Sequence, residues 1–369
     1  MKVATILGTR PEVIKLAPVI AELESDPGIE SIVVATGQHR EMLDQMLEQF
    51  ELTADIDLDV MRPEQRLSDL SADLVRGLGD TLSGLRPDWV LVQGDTTTVL
   101  CGALAAFYEG VAVAHVEAGL RSGDSRSPFP EEANRRLVTR LASLHFCPTT
   151  GSASNLLRED VPAEQIIVSG NTVIDALHWA VQRARLLPPV LPRTRLRRVF
   201  LTVHRRESHG EAMRGVCAAV RALAARGDTE IVFPVHPSPA VREIVLPELE
   251  EVEGVQLCDP VDYLTAVQLL DSCDIVLTDS GGLQEEAPAL GKPVLVLRET
   301  TERPEAIEAG VAKLVGTGAA AIVGVVSRLL DDPQAYASMA HAESPFGDGR
   351  ARFRIVRALT EQRALSHAA

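Results

Sequence analysis

Thr278-Asp279-Ser280-Gly281-Gly282-Leu283-Gln284-Glu285-Glu286-Ala287 follows the apolar run Ile275-Val276-Leu277 and decides how the second half of the chain is read. The run has the length and composition of a buried strand, and the decapeptide opens a helix. A strand, a small-residue turn and a helix N-terminus make an anion site, because first-turn N–H groups lack intrahelical partners and the helix dipole favours negative charge there. Gly281 and Gly282 let a phosphate approach the backbone, and Ser280 adds a hydroxyl. Glu285 or Glu286 suits a pair of ribose hydroxyls. The same residues also read as a plain turn whose glutamates complement the dipole, so the decision rests on the rest of the chain.

Outward from this stretch the same alternation recurs. Strands are expected at 198–203, 230–235, 255–258, 274–278, 293–297 and 311–315. In the first half they fall at 2–7, 31–36, 89–93, 111–116 and 144–147, with helices at 12–25, 40–49, 67–85 and 97–109. Continuous hydrophobicity in the strands fits parallel sheets covered on both faces. Strand–helix alternation predicts an α/β protein with two doubly wound, Rossmann-like domains. Length supports two domains, since 369 residues exceed one ordinary core. The boundary is expected near Ser169-Gly170-Asn171-Thr172, giving an N-terminal domain 1–170 and a C-terminal domain 171–350. A last helix, 351–369, rejoins the first domain. Leu187-Pro188-Pro189-Val190-Leu191-Pro192 is then a loop inside the second domain. Two such domains predict a cleft at the C-terminal ends of their strands, where open α/β sheets bind ligands.

Composition excludes several classes. A formal charge of −16 and 4% aromatic residues disfavour nucleic acid and anionic membrane as partners. No run approaches membrane-spanning length, and Met1 to Leu7 is too short for a signal peptide. Cys101, Cys147, Cys217, Cys258 and Cys273 are scattered, which fits reduced thiols in a soluble cytoplasmic protein. Walker A, H-E-x-x-H, G-x-S-x-G and G-x-G-x-x-G patterns are all missing, so neither a metal nor a nicotinamide cofactor is indicated.

The chemistry-bearing residues sit on strand-to-helix turns. Gly8-Thr9-Arg10-Pro11-Glu12 places Arg10 at a strand edge, with Pro11 fitting the first helical turn and Lys15 one turn on. Asp95, in Gln93-Gly94-Asp95-Thr96-Thr97-Thr98, takes the helix N-cap position, where by itself it reads as a cap, with a catalytic or substrate-hydroxyl-binding carboxylate as the alternative. Glu117, in His115-Val116-Glu117-Ala118-Gly119-Leu120-Arg121, ends a strand before a glycine turn and has little packing use there. Glu131 and Glu132 begin a helix after a long polar loop, and Glu131 is placed to face the same substrate as Glu117. Thr202-Val203-His204-Arg205-Arg206-Glu207 brings an imidazole and two guanidiniums to one edge, as an anion site requires. His236 ends the next strand alike, and Arg303 lies in the charged stretch after 294–297.

Together with Gln38-His39-Arg40-Glu41-Met42-Leu43-Asp44-Gln45 and Pro130-Glu131-Glu132, these runs resemble the non-hydrolysing UDP-N-acetylglucosamine 2-epimerases, in order from residue 1 to about 350. The resemblance implies the two-domain glycosyltransferase-B-like fold and reversible inversion of the sugar C2. UDP-N-acetylglucosamine and UDP-N-acetylmannosamine would interconvert by anti-elimination of UDP to 2-acetamidoglucal and re-addition, without a cofactor. It implies catalytic roles for Asp95, Glu117, Glu131 and His204. Substrate and UDP contacts are implied for Arg10, Lys15, Arg135, His236, Ser280, Gly281, Gly282, Glu286 and Arg303, and members are typically homodimers. Some bacterial members are activated by their own substrate. Here Glu64 stands where certain relatives carry an activator-binding Arg, and Ser344 replaces the Asn that often opens the Pro-aromatic-Gly-Asp-Gly run. Alternatives are a nucleotide-sugar glycosyltransferase of the same fold, a hydrolysing epimerase, or a non-catalytic nucleotide-sugar-binding protein.

Overall fold

The computed structural model describes residues 1–37, 40–62, 64–205 and 208–366. Gln38, His39, Pro63, Arg206 and Glu207, which contribute to the motifs above, lie outside the described residues. The chain divides into two compact units, Met1–Ala176 with Phe346–Ala369, and Leu177–Pro345. The first division falls after the expected 170/171 boundary, inside a helix, and the second just before Phe346 rather than at 350.

In the first unit β1 (Lys2–Leu7), α1 (Arg10–Ser25), β2 (Glu30–Ala35), α2 (Arg40–Gln49), β3 (Ile56–Asp57), α3 (Leu67–Leu85), β4 (Trp89–Gln93) and α4 (Thr97–Tyr108) alternate. They are followed by β5 (Ala112–Val116), α5 (Glu131–Leu141), β6 (Leu144–Cys147), α6 (Thr150–Arg158), β7 (Ile166–Val168) and α7 (Thr172–Ala184), which crosses the division. The sheet runs β3-β2-β1-β4-β5-β6-β7 and every pairing is parallel. β3 and β7 are absent from the sequence reading. Both are short edge strands, too brief to show a period.

The second unit contains β8 (Arg197–Thr202), α8 (Glu211–Ala224), β9 (Thr229–Pro234), α9 (Pro239–Leu249), β10 (Val255–Cys258), α10 (Tyr263–Ser272), β11 (Ile275–Thr278) and α11 (Gly281–Ala289). It continues through β12 (Val294–Val296), α12 (Pro304–Glu308), β13 (Ala312–Leu314), α13 (Ala319–Asp331) and α14 (Pro333–Ala340). Its sheet, β10-β9-β8-β11-β12-β13, is also parallel throughout. α15 (Ala351–Ser366) returns to the first unit, where buried Asp175 accepts the N–H groups of Ala351 (3.1 Å) and Arg352 (3.2 Å) at its start.

Both units are therefore doubly wound. In each, strand order reverses between the first strand and its neighbour, β1 beside β4 and β8 beside β11, and the turns leaving those strands flank the switch point where such sheets bind ligands. The strands are filled by residues such as Ile6, Val90, Val92, Leu201, Phe233 and Leu277, all essentially inaccessible. Apolar burial at about 25 cal/mol per Å² makes these sheets a rigid base for their turns. All five cysteines are free, and four are buried. Among the described residues no helix is long and apolar enough to cross a membrane.

Candidate active site

At the rim of the first sheet the β1–α1 turn is built around a close approach. A Cβ on Gly8 would run into Thr36 Oγ1 and Thr98 Oγ1, so only glycine fits. Thr9 caps α1 in a capping box whose acidic partner is Glu12. Glu12 Oε2 accepts the N–H groups of Gly8 (2.6 Å) and Thr9 (2.8 Å), and Oε1 accepts the Thr96 hydroxyl. Burial pushes the Glu12 carboxyl above its ordinary range, opposed by these donors. One buried side chain thus joins the turn bearing Arg10 to the turn bearing Asp95. Sequence reading quoted Glu12 without giving it work, although Thr-x-x-Glu before an apolar run is the signature of that box. Arg10 is half-buried at the first position of α1.

Asp95 does not cap α4. The N-cap is Thr96, whose hydroxyl accepts from Val99 N–H at 3.3 Å, which corrects the expected placement by one residue. The Asp95 carboxylate is instead paired with Arg135, and its carbonyl accepts from Asn134 Nδ2 at 2.9 Å. Arg135 also reaches Glu132 Oε2 at 3.1 Å. Glu132 is fully buried. Burial raises its pKa, but Ser122 N–H, Arg136 and Arg135 more than offset this and hold it below the usual range. Glu132 is therefore scaffolding, while its half-buried neighbour Glu131 has no such bonds among the described residues.

Glu117 leaves β5 with φ 63°, the left-handed region, which costs a residue with a Cβ about 1–3 kcal/mol and concentrates at functional sites. Its Oε1 accepts Lys15 Nζ at 2.5 Å and its Oε2 accepts the Gln93 amide. Lys15, expected at the substrate, is thus tied to Glu117. His115, two residues earlier, is buried and donates Nε2–H to Gly94 O at 2.7 Å. Desolvation depresses its pKa to about 4, so it is neutral at pH 7.

The second rim is organised by Asp279, fully buried and acceptor to the backbone N–H of His204 (3.0 Å) and Arg205 (2.9 Å) and to Ser208 Oγ (2.9 Å). His204 Nδ1 lies 3.2 Å from Asp279 Oδ1. Burial raises the Asp279 pKa, but His204 and these donors outweigh it and hold the carboxyl low. With Nδ1 engaged, the exposed imidazole offers Nε2 outward. The His236 ring stacks beside it, centroids 6.1 Å apart.

Ser280 is the N-cap of α11 but its side chain makes no capping bond, so the first-turn N–H groups stay open beside it. A Cβ at Gly281 would lie 3.8 Å from Arg205 Nη2 and 3.9 Å from Arg303 Nη2, so two guanidiniums flank this terminus. Arg303 is anchored by buried Glu285 and by Glu302 O, and Arg205 Nη1 reaches Glu302 at 3.0 Å. Glu285 and Glu286 therefore separate: Glu285 is buried against Arg303, and Glu286 is half-buried near Gly282. Asp279 is the contributor sequence reading passed over. It lies in a quoted motif, but its hold on the His204 and Arg205 backbone across β8 and β11 is tertiary. Among the described residues no cluster of His, Cys, Asp or Glu could hold a metal ion.

Two doubly wound parallel sheets with these rims are the glycosyltransferase-B-like type of α/β fold. The family model described as UDP-N-acetylglucosamine 2-epimerase matches residues 21–360. The chain is 50% identical to the UDP-N-acetylglucosamine 2-epimerase of Salmonella typhimurium, over 98% of this chain and 99% of that one. The solved Neisseria meningitidis UDP-GlcNAc 2-epimerase bound to UDP-GlcNAc is 46% identical, with TM-score 0.87, covering 98% of this chain and 100% of its own. The Methanocaldococcus jannaschii enzyme in complex with UDP-GlcNAc and UDP is 34% identical, with TM-score 0.79, covering 98% and 100%. The chain belongs to the UDP-N-acetylglucosamine 2-epimerase family and is an isomerase.

Proposed function

We propose that the chain interconverts UDP-N-acetylglucosamine and UDP-N-acetylmannosamine without net hydrolysis. A base takes the C2 proton. The C2–H electrons form the C1=C2 bond as the C1–O bond breaks, and that pair leaves on the β-phosphate oxygen of UDP. The 2-acetamidoglucal then accepts a proton on the opposite face of C2 while UDP returns to C1. Atoms and electrons balance with no oxidant, so the scheme needs no nicotinamide.

The observation that carries this reading is the set of carboxylates on one rim in unlike settings: Glu117 against Lys15 and Gln93, Asp95 against Arg135, and Glu131 without such pairing among the described residues. Delivery to opposite faces of C2 requires at least two acid–base groups whose environments differ. The second unit would hold UDP. The α11 terminus with Arg205 and Arg303 suits the diphosphate, Glu286 the ribose hydroxyls, and a protonated His204 Nε2 the departing oxygen. Arg10 is a substrate contact on the first unit's rim, and His236 stands beside His204 on the second. A homodimer acting in the cytoplasm completes the proposal, and sedimentation equilibrium tests the dimer.

The experiment is incubation with UDP-N-acetylglucosamine and no acceptor. Conversion to UDP-N-acetylmannosamine without stoichiometric UDP is expected. Free N-acetylmannosamine with UDP would make the chain a hydrolysing epimerase. An unchanged sugar would favour a transferase or a binding protein.

A further inference from the structure

Gln93 is the last residue of β4, buried, and carries an amide that the proposed chemistry leaves unassigned. It donates Nε2–H to Glu117 Oε2 while Lys15 Nζ holds Oε1 at 2.5 Å. An ionised carboxylate only accepts, so the amide must present its NH2. The residues just after Gln93 are fixed as well. The Gly94 carbonyl accepts His115 Nε2–H at 2.7 Å, the Asp95 carboxylate is paired with Arg135, and the Asp95 carbonyl accepts Asn134 Nδ2 at 2.9 Å. Lys15 reaches Glu117 on a flexible stem from α1, whereas Gln93 reaches it on a short stem rooted in the sheet. Gln93 therefore ties the Glu117 carboxylate to the sheet.

We propose that Gln93 is a positioning residue for proton transfer, holding Glu117 ionised and aimed at the sugar. This rests on the reading of Glu117 as an acid–base group at C2. Of the charged and titratable groups near Glu117, Lys15 from α1 pairs with its carboxylate and His115 from β5 interacts with it, while Asp95 and Arg121 act on His115. Glu12, also on α1, is committed to Gly8, Thr9 and Thr96. With Gln93 removed, Lys15 still favours the anion but one donor is lost, so Glu117 protonates at higher pH.

The test compares pH profiles of kcat/KM for the full-length protein with Gln93→Met, Gln93→Glu and Glu117→Gln. In Gln93→Met, kcat is expected to fall about tenfold or more, with KM within about threefold. The acidic limb should rise by about one pH unit. In Gln93→Glu the limb should move further, because two adjacent carboxylates share a proton. If Glu117→Gln keeps its turnover, the reading of Glu117 fails whatever Gln93 does. If Glu117→Gln is inactive while both Gln93 variants keep the wild-type kcat and acidic limb, the positioning role is overturned and the reading of Glu117 stands. Loss of the first unit's fold in both Gln93 variants, seen by circular dichroism, also overturns it, because Gln93 would then serve the fold.

Discussion

Replacing Glu12 separates what holds the first rim from what works on it. Glu12→Ala strands the Gly8 and Thr9 N–H groups, now accepted at 2.6 and 2.8 Å, and frees the Thr96 hydroxyl. A buried donor left without a partner costs about 1–3 kcal/mol, and the hydroxyl can turn to another acceptor. The loss should therefore be about 3–5 kcal/mol in the first unit. Glu12→Gln keeps an oxygen for the two N–H groups and should lose only about 1 kcal/mol at pH 7. The pH dependence has a definite sign. Burial raises the folded Glu12 pKa above its ordinary 4.5, so the native state binds the proton better. The wild type gains stability relative to Glu12→Gln as pH falls from that raised pKa to about 4.5, and above the raised pKa the difference between the two is constant. Because the units can unfold separately, the assay needs a local probe. Trp89 lies on β4 and Trp179 in the second unit, so urea unfolding followed by fluorescence in a Trp179→Phe background reports the first unit. An Ala variant within about 1 kcal/mol of wild type, or a Gln variant as damaged as Ala, would refute the role of Glu12.

Three further outcomes follow from the rims. Glu117→Gln should lose most turnover with UDP affinity nearly unchanged, Glu286→Ala should weaken UDP by about 1.5–3 kcal/mol, and His204→Ala should do both. Calorimetric titration with UDP decides, and the reverse pattern for Glu117 and Glu286 would exchange the roles of the units. Arg205→Ala should weaken UDP about tenfold, roughly 1.4 kcal/mol, more so at low salt; an unchanged affinity in the same titration would remove Arg205 from the diphosphate site. Asp279, held low when folded, contributes stability that is present above about pH 4 and lost as pH falls through its folded pKa. Acid unfolding of the second unit should be blunted in Asp279→Asn; an identical acid midpoint in the two proteins counts against it.

The strands at 2–7, 89–93 and 144–147 were legible because unbroken apolar runs bounded by turn residues leave one reading, and β1, β4 and β6 occupy those ranges. β3 and β7 were not, since two or three residues at an edge carry no period. The turns with Gly8, Asp95, Glu117, His204 and Ser280 could be found because each follows a buried strand. Which side chain does what within a turn was harder. Asp95 and Thr96 are both good caps, and the choice is made by Arg135, forty residues away. Glu285 and Glu286 are equivalent in sequence until Arg303 takes one of them. Gln93 gives no signal by itself, since its partner lies in the turn after a neighbouring strand.

In the proposed reaction C2 loses and regains a proton, and proton NMR of the reaction in deuterated water reads that exchange. Proton delivery to the opposite face draws on solvent-exchanged acid groups, so product UDP-N-acetylmannosamine should carry deuterium at C2. The label should also appear in recovered UDP-N-acetylglucosamine as the reaction reverses. Product sugar formed with its original hydrogen at C2 would contradict the elimination–addition account and leave the Asp95, Glu117 and Glu131 rim without its assigned chemistry.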